Sequence, residues 1–160
     1  MIYFLSELDT YEIAWAAAER CSFKRDKGLI NYKRVDQKRD NFQTAREGLT
    51  GEWAVGQYLE IPINTETYLG GDPGWDFEYQ NMKIDVKTTR AKYLLFRDHA
   101  SFKADGAIMV RYHQDYLVEI LGFITRDDFF KKAEIKNFGY YDNYVVTQDQ
   151  LIPIQDFKNA

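Results

Sequence analysis

Residues 76–87 constrain this chain more than any other stretch. They run from Asp76 through Gln80 and Asn81 to Asp85, Val86 and Lys87, and they read as a short hairpin. Side chains alternate along a strand, so Asp85 and Lys87 share one face while Ile84 and Val86 share the other. A two-residue turn at Gln80-Asn81 pairs Tyr79 with Met82, Glu78 with Lys83 and Phe77 with Ile84. The same register sets Asp76 opposite Asp85, with Cβ atoms roughly 5 Å apart. Like charges at that distance repel, and a divalent metal between them would turn the repulsion into binding. Gln-Asn lacks the glycine that tight hairpins favour.

The pattern acid-x-Lys recurs at Asp36-Lys38, Glu134-Lys136 and Asp156-Lys158. Only Asp85-Lys87 lies in an Ile/Val/Met-rich run with another acid placed to pair across a turn. A second signal comes from residues 48–59, which read as a helix. At ~100° per residue, Glu52 falls within a stripe made by Leu49, Val55 and Leu59. Burying a lone carboxylate costs several kcal/mol unless it is paired or metal-bound. Glu52 is therefore expected to face a cation, either a metal or a lysine or arginine under the helix, with Lys87 one choice. Gly48 and Gly56 flank the stripe and would let the helix approach a sheet closely, whereas Glu47 should project into solvent. Asp72, ahead of Pro73, competes with Asp76 but reads as a turn residue.

A glutamate on a helix, then an aspartate, then Asp-x-Lys on successive strands resembles the PD-(D/E)XK nuclease superfamily. Glu52, Asp76, Asp85 and Lys87 carry that resemblance, which spans roughly residues 48 to 112. Gly74 and Trp75 stand ahead of Asp76 where the family has proline, and the helix that follows the family's third strand is not legible here. The resemblance implies a restriction-endonuclease-like fold of α/β (α+β) class, a mixed β-sheet flanked by helices. It implies Mg²⁺- or Mn²⁺-dependent hydrolysis of DNA phosphodiester bonds, leaving a 5′-phosphate. Asp76, Asp85 and the backbone carbonyl of Val86 would hold the metal, with Glu52 completing the shell. Lys87 would orient water and stabilise charge on the phosphate, with Thr88 and Gln57 behind them. Rival readings are a branched-DNA resolvase or recombination exonuclease, a non-catalytic DNA-binding module, and a Ca²⁺-stabilised structural domain.

At 160 residues, with 45% hydrophobic and 16% aromatic content, the chain suits one globular domain. Its formal net charge of −4 conceals a strong division. Residues 20–46 carry nine Lys/Arg against three acids; residues 47–79 carry seven acids and no Lys or Arg. Residues 80–111 return to seven bases against three acids. An acidic pocket between two basic segments suits a metal site under a phosphate-binding surface, though a basic helix facing solvent would give the same pattern. Lys24, Arg25, Lys33, Arg34, Lys38, Arg39 and Arg90 are the expected nucleic-acid contacts, with Phe23, Tyr32 and Phe42 available for stacking. The domain divides into a helical basic extension, residues 1–46, and a core, residues 47–160.

Cys21 is the only cysteine, which excludes an internal disulfide and cysteine-rich zinc sites. No leader or spanning stretch is legible, so a cytoplasmic protein is expected, with no membrane association and no small-molecule cofactor. Homo-oligomers are allowed, and the compact size suits a phage or mobile element. Ser6 should cap a helix over residues 6–22, and Thr125 a short one. Strands are expected at residues 93–96, 106–112, 116–124, 144–147 and 151–154. His99 and His113 read as surface residues.

Overall fold

The computed structural model describes residues 1–27, 40–63, 65, 73–114 and 116–159. Strand β1 (Ile2–Phe4) leads into helix α1 (Glu7–Asp26). Ser6 caps α1 as expected: Asp9 N donates to Ser6 Oγ and Ser6 N donates to the Asp9 carboxylate, both at 3.1 Å. Helix α2 (Asn41–Leu59) begins well before the expected Gly48, because Asp40 caps it and accepts from Gln43 N at 2.7 Å. It therefore runs across residues 46 and 47. It stops at Glu60, which adopts the left-handed conformation at φ 59, two residues ahead of Pro62.

The remaining elements are β2 (Phe77–Tyr79), β3 (Met82–Thr89), β4 (Tyr93–Phe96), β5 (Gly106–Gln114), β6 (Leu117–Thr125), α3 (Arg126–Lys132), β7 (Glu134–Asn137), β8 (Asp142–Thr147), β9 (Ile152–Pro153) and α4 (Ile154–Lys158). Thr125 caps α3 by accepting from Asp128 N at 3.1 Å. The hairpin forms in the expected register, Phe77 with Ile84 through Tyr79 with Met82. Its turn dispenses with glycine by placing Gln80 and Asn81 at φ 48 and 63. Two left-handed residues give the primed turn that matches strand twist.

The main sheet runs β1-β6-β5-β3-β2, with β9 added beside β6. Only β3 and β5 are parallel; the other neighbours are antiparallel. A second sheet, β4-β8-β7, is antiparallel. Parallel neighbours need a long crossover, and here β4 occupies it, which is why no helix is legible after β3.

The chain is thus mixed α+β, with the mixed sheet between two layers. Ile84, Val86, Ile108 and Val110 face Leu49, Ala54 and Val55 of α2 and Ile13 and Ala17 of α1. Ala107 and Met109 face Leu94, Phe96, Phe102, Phe129 and Val146. Strand β5 is buried on both faces over Gly106–Val110, so its sequence there is an unbroken apolar run. Among the described residues, no helix is long and apolar enough to cross a membrane.

Candidate active site at the open edge of β3

Strand β2 begins at Phe77, so among the described residues β3 beyond Ile84 has no strand beside it on that edge. Asp76 fills the place. Its amide donates to Ile84 O at 2.8 Å, and its Oδ2 accepts from Val86 N at 2.6 Å. The expected ladder pairing of Asp76 with Asp85 is therefore not formed; the carboxylate bonds the strand edge instead. Amide and carbonyl of one strand residue face the same edge, so the Val86 carbonyl also turns toward the open side.

Asp85 and Lys87 share the face opposite α2, as the alternation requires. Lys87 Nζ lies 2.8 Å and 2.7 Å from the two Asp85 oxygens and 5.3 Å from the Phe96 ring centroid. Asp85 is buried, while the Lys87 side chain is 42% exposed.

Glu52 reaches the site from the other layer. It is nearly buried, and the two terminal nitrogens of the Arg20 guanidinium donate to its two oxygens at 3.4 Å. The cation that the amphipathic pattern demanded thus includes an arginine of α1 rather than Lys87. The close approach of α2 depends on Gly51, not on Gly48 or Gly56. A Cβ on Gly51 would lie 1.9 Å from Thr88 Oγ1, whereas one on Gly56 would meet Ile63 and one on Gly48 would meet nothing within 4 Å.

Asp76 feels two other carboxylates of the site, Glu52 and Asp85. Burial, then the charges of Glu52 and Asp85, push its pKa up from 3.8 to about 8, against the Val86 amide and the Lys87 ammonium, which pull it down. Donor type fits a hard divalent cation, which prefers carboxylate and carbonyl oxygens. The side chains as they stand do not enclose one: among the described residues no three His, Cys, Asp or Glu side chains group tightly enough to hold an ion.

Other expected site residues divide. Thr88 is half-buried and donates to Gly48 O at 3.3 Å, toward α2. Gln57 is exposed and bonds Asp9. Lys24 is exposed on α1, one turn beyond Arg20. Lys33, Arg34, Lys38, Arg39, Asp72 and the Arg25 side chain lie outside the described residues. Arg90 is tied to Glu47, with Nη2 donating at 2.7 Å, and lies 4.7 Å over the Tyr112 ring. Glu47 is accordingly only 3% exposed, not solvated as the helical pattern suggests. Its signal was weak: Gln43, one turn earlier, shares the bond, but nothing local to residue 47 announces Arg90. Arg20 was legible only as one base among many. His99 and His113 are exposed as expected, and Cys21 is half-buried.

Compared with known proteins, the chain matches no family model, no curated protein and no solved structure.

Proposed function

We propose that this protein is a metal-dependent nuclease of restriction-endonuclease-like fold that hydrolyses DNA phosphodiester bonds, with structure-selective or nonspecific cutting. The observation that carries the reading is Asp76. Burial first, and then the charges of Glu52 and Asp85, raise its pKa beside a strand edge where a lysine and a backbone carbonyl also lie. A structural core would avoid that concentration of negative charge. Asp76, Asp85 and the Val86 carbonyl, with Glu52, would hold Mg²⁺ or Mn²⁺, which when bound supplies Lewis acidity and an activated water. Lys87 donates to a phosphoryl oxygen and stabilises the charge that develops there. Asp76 must release its proton to act as a ligand, so cation affinity rises with pH toward 8. Arg20 and Lys24 lie on one face of α1 and extend positive charge from the site along the path of a nucleic-acid backbone.

A second reading, a non-catalytic DNA-binding module on the same scaffold, is favoured by the ion pairs Arg20–Glu52 and Lys87–Asp85. Incubating supercoiled plasmid and linear single-stranded DNA with Mg²⁺, Mn²⁺ or EDTA separates the two. Metal-dependent cutting by the wild type, lost in Asp85→Ala and Lys87→Ala, is the expected result. DNA binding without cutting, on branched as well as linear substrates, would sink the nuclease and leave the module.

A further inference from the structure

Helix α1 is apolar on two sides. Ile13, Ala16 and Ala17 enter the core. On the opposite side Leu8, Tyr11 and Trp15 repeat at helical spacing and remain 69%, 71% and 63% exposed. Single exposed apolar residues are ordinary, but an aligned aromatic stripe marks an interaction surface. With Trp53 and Ile63 the stripe borders a groove of about 650 Å³. Its floor is held in place, since Trp53 Nε1 donates to Asp9 at 2.9 Å.

Charge decides what the groove can accept. Among the described residues its charged lining residues are Glu12 and Glu19, and residues 1–19 contain no lysine or arginine. Nucleic acid and acidic membranes are repelled by such a rim. A polypeptide helix with apolar anchors flanked by lysine or arginine matches both the floor and the rim. We propose that the α1 groove docks a cationic amphipathic segment of a partner protein. Trp15 and Tyr11 supply the anchoring contacts, because large aromatic side chains dominate such interfaces, and Glu12 and Glu19 set the sign of the partner. None of these residues belongs to the carboxylate site, so the inference stands apart from the nuclease reading.

The test is calorimetric titration with a synthetic amphipathic helix of leucine and lysine, beside its leucine and glutamate counterpart. The lysine peptide should bind saturably, one per chain, and the glutamate peptide should not. Trp15→Ala should weaken binding about tenfold or more with an unchanged circular dichroism spectrum, and Tyr11→Ala provides a second exposed truncation. Glu12→Lys with Glu19→Lys should reverse the preference between the peptides. Non-saturable binding, equal binding of both peptides, or binding undiminished by both truncations would overturn the proposal. So would a concentration-dependent dimer dissolved by Trp15→Ala, which would assign the groove to a second copy.

Discussion

Asp76→Asn should make this protein more stable at neutral pH while abolishing any activity of the carboxylate site. The folded chain keeps the Asp76 proton up to about 8, whereas the unfolded chain releases it near 3.8. Between those values the folded state binds more protons, so stability falls as pH rises through the window. Below it both states are protonated and the penalty vanishes; above it the full cost of an ionised carboxylate is reached. At ~1.4 kcal/mol per pKa unit, the shift from 3.8 to about 8 sets an upper bound on the order of 5 kcal/mol at neutral pH. Asp76 keeps part of its surface open to solvent. Water entry and relaxation at a strand edge should reduce the measured gain to about 2 kcal/mol. Asparagine keeps the acceptor for Val86 N and removes the titration, and its amide can donate to a neighbouring carboxylate. Urea unfolding in EDTA, from about pH 5 to pH 8, measures the difference. The wild type should lose stability across that range relative to Asp76→Asn. Parallel pH profiles, or a variant less stable than wild type at about pH 7.5, would refute the electrostatic reasoning.

Two further perturbations follow from the packing. Arg90→Ala removes the guanidinium that pairs the buried Glu47 carboxylate, leaving the Gln43 bond, and should cost about 1–3 kcal/mol. Adding Glu47→Gln should recover much of that loss in chemical unfolding. Gly51→Ala drives a methyl into Thr88 Oγ1 and should cost about 1–3 kcal/mol. Thr88→Ala should restore part of it, a coupling that a double-mutant cycle in thermal unfolding would report.

Local chemistry made much of the fold legible. The hairpin register followed from strand alternation and a two-residue turn, although the turn used two left-handed residues rather than glycine. Strands β4, β5 and β6 and the Ser6 and Thr125 caps followed from apolar runs and capping residues. Strands β1 and β7 and helix α4 were missed, because segments this short acquire their conformation from neighbours rather than from their own periodicity. The start of α2 lies about two turns ahead of the apolar stripe and is set by the Asp40 cap instead of by hydrophobic periodicity.

For the site, sequence by itself determined which residues were chemically out of place: Glu52 on an apolar stripe, and Asp85 with Lys87 on one strand face. Those judgements need only helix and strand periods, which are properties of the local backbone. Tertiary structure alone decided their partners. It started β2 one residue late, so that Asp76 bonds Val86 rather than pairing with Asp85 in the ladder. It set Arg20 on Glu52 and Arg90 on Glu47 across 32 and 43 residues of chain. Charges so distant in sequence are paired by the packing of α1 and α2 on the sheet, and no local pattern encodes which acid meets which base.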